Sequence, residues 1–415
     1  MFSKILKNIG KSLKPIKWLG INEELILNYF KLFSHFTIFN LSKLVRGRVD
    51  NKLIILGGNY GKYFGGNTKY LYQYLKEYTD YKLIWISKSQ KLIKHLKKKG
   101  INAVHQGTLK AIKLLRKARV VFVTHGFTDV LPIKFSSRTV FVQTWHGGDI
   151  KILGGNSYYD NFVYSNWTKF LRLKIRNHQI YDYVLSLSDK EKPLKILAEA
   201  FKFPLERIIP LGYPRNDIFF SKNKNLKEKL RKKYDIPHNI DKIILYAPTF
   251  RSDLTAKFPL SHENLIELNQ LLKETKSLFL MKGHIREKYV EFKDLDNILT
   301  IGMDSDTQEL LYITDILITD YSSIYCDYLL LNRPVILFTY DYDEYIKKVG
   351  IYYNHLEEIA PGPLVYTGEE LIEVIRNISK IDKEYETKRL ELRDYFNAYI
   401  DGKSTERLLK FLKLI

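Results

Sequence analysis

Apolar residues along the chain gather into short, nearly unbroken runs separated by longer stretches of mixed polarity. The runs at 53–56, 82–86, 120–123, 139–143, 183–186 and 207–211 are rich in β-branched and aromatic residues. After a lysine-rich stretch at 222–233 the alternation restarts with runs at 242–246, 277–282, 315–319 and 334–338. Strands that lack a polar face and alternate with helical stretches predict parallel sheets covered on both sides. Two such series predict an α/β chain with two doubly wound, Rossmann-like domains facing a central cleft. The pattern sets the first domain at 51–225 and the second at 226–395. A helical stretch beginning near Arg389 ends the chain, with 396–415 able to cross back to the first domain.

The first fifty residues follow another rhythm. Phe2, Ile5, Leu6, Ile9 and Leu13 recur at helical spacing, and Lys4, Lys7, Lys11, Lys14 and Lys17 fall largely on other faces. Pro15 is expected to end this helix, and a second apolar stretch runs from Leu25 to Phe39. With nine basic and three acidic residues, segment 1–50 reads as an amphipathic helical region. Its apolar face would enter the acyl boundary and its lysines would meet anionic headgroups. The competing reading is that these helices pack on the body of the protein.

Composition narrows the class. The chain has 415 residues, of which 45% are hydrophobic and 27% charged, which excludes a disordered chain and suits two domains. Cys326 is the single cysteine, so no internal disulfide forms, and a reducing compartment fits. No apolar run approaches the ~20 residues of a transmembrane helix. The N-terminal lysines leave no uninterrupted signal-peptide core, so the protein is expected to stay on the side where it is made. The 67 Lys and Arg against 46 Asp and Glu give a net +21, which suits a polyanionic partner or a lysine-rich surface.

In open parallel sheets, ligands bind beyond the carboxyl ends of the strands, so residues directly after the runs carry the interest. Thr144-Trp145-His146-Gly147-Gly148 follows one run. A histidine there, next to two glycines, can be approached closely and, with an ordinary pKa near ~6.5, can take a proton from an attacking alcohol. Lys282-Gly283-His284 follows another run and suits an anion. Thr319-Asp320-Tyr321-Ser322-Ser323 precedes an apolar helical stretch. There a serine is expected to cap the helix and present hydroxyls and amides to a pyrophosphate. Gly212-Tyr213-Pro214-Arg215-Asn216-Asp217 and Ala247-Pro248-Thr249-Phe250-Arg251 add guanidinium, amide and hydroxyl groups. Each motif alone also has a plain reading as a turn or a cap; their convergence on strand ends favours a site. No Cys pair, His-x-x-x-His or two-metal carboxylate cluster is present, so no metal or cofactor is expected. Asp304 and Asp306 read as a solvated loop, and Asp341, Asp343 and Glu344 as an acidic rim.

Taken together and in this order, these motifs resemble the CDP-glycerol glycerophosphotransferase family of teichoic acid and capsule synthesis. Asp401-Gly402-Lys403-Ser404 and the stretch 59–75, with Gly65-Gly66-Asn67 before a helix, belong to the same resemblance, which covers about 51–410. The resemblance implies a GT-B-like fold, a lipid-linked glycan acceptor on the first domain and CDP-glycerol on the second. It implies functional roles for His146 and His284, and substrate contacts from Gly147, Lys151, Asp320, Ser322 and Ser323, beside the Arg215, Asn216, Thr249, Arg251 and Lys282 already named. It also implies a peripheral enzyme on the cytoplasmic face of the cell membrane. One departure stands out: Gly148-Asp149 replaces the family's common Thr-Pro, which puts a negative charge beside His146 and leaves acceptor and alditol open.

The reaction expected is transfer of glycerol phosphate from CDP-glycerol to an acceptor hydroxyl, with release of CMP. A CDP-ribitol-dependent enzyme, or a GT-B glycosyltransferase using a nucleotide sugar, would share the fold. A basic membrane- or nucleic-acid-binding protein would share the charge, although none of the common nucleic-acid motifs is evident.

Overall fold

The computed structural model describes residues 37–45, 47–148, 150–152, 181–201, 203–249, 259–282, 295–302 and 305–415. The chain divides into two compact units, one of residues 1–146 and 161–184, the other of 147–160 and 185–415.

Seven strands form the first sheet: β1 (Asp50–Leu56), β2 (Lys82–Ser87), β3 (Ala103–His105), β4 (Ala118–Val123), β5 (Val140–Gln143), β6 (Tyr183–Leu185) and β7 (Ile208–Ile209). Their order is β3-β2-β1-β4-β5-β6-β7, parallel from β3 to β6. Helices α1 (Gly66–Tyr78), α2 (Gln90–Lys98) and α3 (Leu109–Lys117) make the connections. Leu53 and Ile55 pack into one cluster with Ala111, Leu115, Val121 and Phe141. Ile54 and Leu56, on the opposite face of β1, are fully buried too. Each such side chain contributes about 1.5–3 kcal/mol of transfer free energy, which is why the run carries no polar face. Ser89 caps α2 by accepting from the Leu92 amide, and Thr108 caps α3 by accepting from Ala111. Helix α1 differs: its N-cap is Gly65, and no side chain caps it.

Residues 37–42 are helical and lean on this unit. Ile38 packs against the core cluster, and Ser42 Oγ accepts from the Lys134 amide at 3.0 Å. Leu41 and Leu44 point outward, 57% and 77% exposed. The remainder of the predicted membrane segment, 1–36, lies outside the described residues.

The second unit carries α4 (Glu191–Phe201), α5 (Leu226–Lys233), α6 (His262–Glu274), α7 (Thr307–Ile313), α8 (Ile324–Tyr328), α9 (Tyr342–Lys348), α10 (Gly368–Arg376), α11 (Ile378–Phe396) and α12 (Ser404–Phe411). Its sheet consists of β8 (Lys242–Tyr246), β9 (Ser277–Lys282), β10 (Ile298–Ile301), β11 (Ile316–Thr319), β12 (Val335–Phe338) and β13 (Leu364–Val365). The order is β10-β9-β8-β11-β12-β13, all parallel. Capping boxes at Ser261 and Thr367 start α6 and α10. The C-terminal α12 is held by Asp217, whose carboxylate accepts from the Ser404 and Thr405 amides at 2.9 and 2.8 Å. Both sheets are doubly wound, and the direction of winding reverses between β1 and β4 in one and between β8 and β11 in the other. In open parallel sheets such reversals are where ligands bind. Among the described residues no helix is long and apolar enough to cross a membrane.

Candidate active site

In the first unit, β4 and β5 end side by side on two histidines. Thr144 donates through its amide and hydroxyl to the Val123 carbonyl, at 2.7 and 2.9 Å, so the chain after β5 stays in register with β4. Trp145 then adopts φ +54, a left-handed conformation rare for a bulky residue. Asn67, in the first turn of α1, holds it there: its Nδ2 donates to the carbonyls of Thr144 at 2.8 Å and Trp145 at 3.0 Å. The result turns His146 back over β4, where Nδ1 lies 3.0 Å from the Thr124 carbonyl oxygen. A carbonyl only accepts, so Nδ1 carries the proton and the imidazole lone pair sits on Nε2.

His125, directly after β4, stacks on His146 with ring centroids 3.8 Å apart and planes 17° apart. Tyr60 packs on His125 at 4.2 Å and Trp145 on His146 at the same distance. Behind the pair lies Asp129, with no exposed surface. Its Oδ2 accepts from the amides of Thr124 and His125, both at 2.7 Å, and its Oδ1 accepts from the Tyr60 amide at 2.6 Å. Burial pushes this carboxyl up to about 6, and the backbone donors oppose the rise. Asp129 thus pins the loop after β1 and the turn after β4 to one point. Neither His125 nor Asp129 was singled out from the sequence. A signal was available, because Thr124-His125-Gly126 after one strand echoes the His-Gly pair after the next.

In the second unit the segment after His146 is fixed by its own contacts. Gly147 accepts from the Tyr213 hydroxyl at 2.8 Å. Gly148 lies so near α8 that an added Cβ would come 2.8 Å from Cys326 Sγ and 3.0 Å from Ser323 Cβ. Lys151 forms an antiparallel bridge with Ile351.

The winding reversal of this unit collects several of the predicted binding residues. Asp320, at the end of β11, is fully buried and accepts from the Thr249 amide after β8 at 2.8 Å, so the two strand ends are tied together. Ser322 and Ser323 follow, both partly exposed. Ser323 occupies the N-cap position of α8 but makes no side-chain cap; Ser322 Oγ instead accepts weakly from the Ile324 amide at 3.4 Å. The expected serine cap on α8 is therefore absent. Lys282, ending β9, donates to Ser305 through its carbonyl and hydroxyl oxygens at 2.9 and 2.8 Å. His284 and Arg251, and with them Asp149, lie outside the described residues.

Arg215 and Asn216 are engaged elsewhere. The Arg215 guanidinium meets Asp327 at 2.7 Å in the interior, and Asn216 and Gln308 donate to the same carboxylate at 2.8 and 2.9 Å. Burial pushes the Asp327 carboxyl up, and Arg215 is the first group that counters it. Arg215 thus anchors the 214–220 turn to α8, and Asn216 helps it. Asp306, read from sequence as part of a solvated loop, caps α7 by accepting from the Glu309 amide.

A family model described as CDP-glycerol:poly(glycerophosphate) glycerophosphotransferase matches residues 38–414. The chain is 31% identical over 370 residues to the teichoic acid poly(glycerol phosphate) polymerase of Bacillus subtilis (strain 168), covering 87% of this chain and 48% of that protein. It is 28% identical over 391 residues to the teichoic acid glycerol-phosphate transferase of Staphylococcus aureus (strain NCTC 8325 / PS 47), covering 92% of this chain and 98% of that protein. The chain spans about half the length of the first curated relatives it matches. A solved structure of the wall teichoic acid polymerase TagF shares the fold, with a TM-score of 0.76, 23% identity, and coverage of 95% of this chain and 98% of that one.

Proposed function

The chain belongs to the CDP-glycerol:poly(glycerophosphate) glycerophosphotransferase family, and from that premise we propose that it transfers glycerol phosphate from CDP-glycerol to a hydroxyl of a lipid-linked cell-envelope glycan or teichoic acid chain, releasing CMP. The acceptor oxygen attacks the phosphorus next to glycerol in line. A new O–P bond forms, the bond from that phosphorus to the bridging oxygen breaks, and CMP leaves with the electron pair. The acceptor proton passes to Nε2 of His146. The observation that carries this reading is the Nδ1–Thr124 hydrogen bond, which fixes the tautomer with its lone pair on the nitrogen a base would use.

On the donor side we assign CDP-glycerol to the 226–395 region, with its pyrophosphate near the hydroxyls of Ser322 and Ser323. Lys282, Arg251 and His284 would supply charge. Helix α8 has five residues, so its dipole is slight, and hydroxyls with flanking cations carry more of the anion stabilisation. Asp320 shapes this region by fixing Thr249 and the strand ends, and Gly147 and Lys151 shape the path after His146. We assign the acceptor to the 51–225 region. Segment 1–50 would hold the enzyme on the anionic cytoplasmic face of the membrane, where a lipid-linked acceptor lies.

One assay tests the proposal: CMP release and product mass spectrometry with CDP-glycerol, CDP-ribitol and a panel of lipid-linked acceptors. Glycerol phosphate addition is expected. His146→Ala should lose ~10²- to 10⁴-fold in turnover while calorimetry finds CDP-glycerol affinity intact. The double variant Ser322→Ala, Ser323→Ala should instead weaken CDP-glycerol binding. Wild-type turnover by His146→Ala removes the base from the mechanism.

A further inference from the structure

The loop between β1 and α1 reads Gly57-Gly58-Asn59-Tyr60-Gly61-Lys62-Tyr63-Phe64-Gly65-Gly66. It lies at the winding reversal of the first sheet, where β1 and β4 are neighbours and their connections leave in opposite directions. Asn59, Tyr60 and Gly61 all have positive φ, and the loop is anchored from below: the Asn59 amide donates to Thr124 Oγ1 at 3.1 Å and the Tyr60 amide to Asp129. The loop then delivers the chain to the start of a 13-residue helix with no side-chain cap and no acidic residue in its first turn. The first amides of a helix have no partner within it, and they carry the positive end of its dipole.

Two further observations point to a ligand there. Thr68, in the first turn of α1, has no exposed surface, and its Oγ1 finds no hydrogen-bond partner among the described residues. That oxygen is aimed at the glycine loop: a Cβ built on Gly58 would lie 2.7 Å from it. Among the described residues, little fills the space over the helix start. A Cβ on Gly65 would meet Asn59 Nδ2 at 3.4 Å, and one on Gly66 would meet a single methyl, Thr124 Cγ2, at 3.7 Å. Glycines here therefore leave room beside donors.

We propose that this loop and the N-terminus of α1 form a phosphate-binding site in the first unit, one that receives the phosphodiester next to the acceptor's terminal hydroxyl. The proposal rests on the transferase reading above for its source of phosphate. Placement favours the acceptor over the donor, because Asn67 of the same helix turn holds the backbone of Thr144 and Trp145, immediately before His146. The group that hands its proton to His146 must lie there. In a glycerol phosphate chain the nearest anion to that hydroxyl is the preceding phosphodiester, one glycerol away.

The test is equilibrium binding to the full-length protein with its donor site saturated by CDP, read by calorimetry and phosphorus NMR. The probes are glycerophosphoglycerol, inorganic phosphate and diglycerol, an uncharged analogue. Gly65 has extended backbone (φ −168), so Gly65→Asp fits the fold, caps α1 and puts a carboxylate where the phosphate would rest. Wild type should bind glycerophosphoglycerol saturably and at least tenfold tighter than diglycerol. Gly65→Asp should lose at least tenfold of that affinity with a melting temperature unchanged or raised, and Thr68→Val should lose several-fold. In turnover, the KM for acceptor should rise in both variants and the KM for CDP-glycerol should not. Equal binding by wild type and Gly65→Asp, or no saturable binding by wild type, overturns the site. Binding of inorganic phosphate without the diester overturns its assignment to the acceptor. Failure of the transferase reading would appear separately, as no CMP release by wild type with any acceptor, whatever the binding experiment gives.

Discussion

Asp129 is a fully buried carboxylate behind the His125–His146 pair. It is sealed under the loop that carries Tyr60 and beneath the turn that carries His125, and burial raises it to about 6. The sign of the consequence follows from linkage. A carboxyl that holds its proton more tightly when folded stabilises the native state fully below its unfolded pKa, and that contribution is lost as pH rises through about 6. The free energy of unfolding in urea should therefore carry a component that falls by roughly 2 kcal/mol from about pH 4 to pH 7. Asp129→Asn should lack that component, whatever it does to stability overall. Parallel pH profiles for the two proteins would show that this carboxyl does not titrate as described. The strand-end placement of His146 in one unit and of Asp320, Ser322 and Ser323 in the other was legible in sequence, because apolar runs mark where strands stop. Asp129 was not legible: it lies in a loop between strands, and its role depends on joining two amides of its own loop to the Tyr60 amide, which no spacing along the chain reveals. Arg215 shows the opposite failure. Its position after a strand suggested a phosphate ligand, but a burial partner 112 residues away, Asp327, claims the guanidinium.

That ion pair belongs to the scale of elements, since it locks the 214–220 turn onto α8. Both side chains are almost wholly buried, 8% and 2% exposed, so removing one leaves a charge without its counterion. Arg215→Met should cost about 3–5 kcal/mol in urea unfolding. Adding Asp327→Asn, which removes the stranded charge and keeps an oxygen for Asn216 or Gln308, should restore more than half of that loss. A single variant as stable as wild type would return Arg215 to the list of candidate phosphate ligands. The Gly212–Asp217 and Asp401–Ser404 motifs are coupled in the same structural sense. Gly212 sits at φ +77 against Ser404, Gly402 at φ +66 against Phe220, and Asp217 caps α12. Their joint presence in the sequence thus has a packing explanation independent of any substrate. Ten strands were legible as apolar runs because both faces of each are covered. β3, β10 and β13 were not, for a common reason: they are short strands at or beyond the sheet margins, and β10 has two of its four residues exposed. An edge strand held by backbone bonds on one side needs little apolar sequence.

Charge is the property that belongs to the whole molecule. The net +21 is spread widely: residues 1–36 hold six lysines and two glutamates, a net +4, and the rest of the chain keeps +17. For the membrane attachment proposed above, two mechanisms consequently predict different results. If diffuse charge on the folded units were sufficient, deleting 1–36 would change binding to anionic vesicles only slightly. If the amphipathic pattern of Phe2, Ile5, Leu6, Ile9 and Leu13 inserts at the interface, the deletion removes apolar area as well as lysines worth about 1 kcal/mol each near an anionic surface. Leu41 and Leu44, exposed on the helical turn that leads from this segment into the first unit, place apolar surface at its junction with the core. The second outcome is expected. In co-sedimentation with phosphatidylglycerol-rich vesicles, the deleted protein should lose most binding, and its turnover on a short water-soluble acceptor should match the full chain. Raising ionic strength should weaken the binding of both proteins, because the Debye length contracts from ~10 Å at 0.1 M to ~3 Å at 1 M. The full chain should nonetheless retain a salt-resistant fraction that the deleted one lacks. Binding that vanishes equally in both at high salt would mean that electrostatics alone holds the enzyme to the surface, and the insertion model would have to be abandoned.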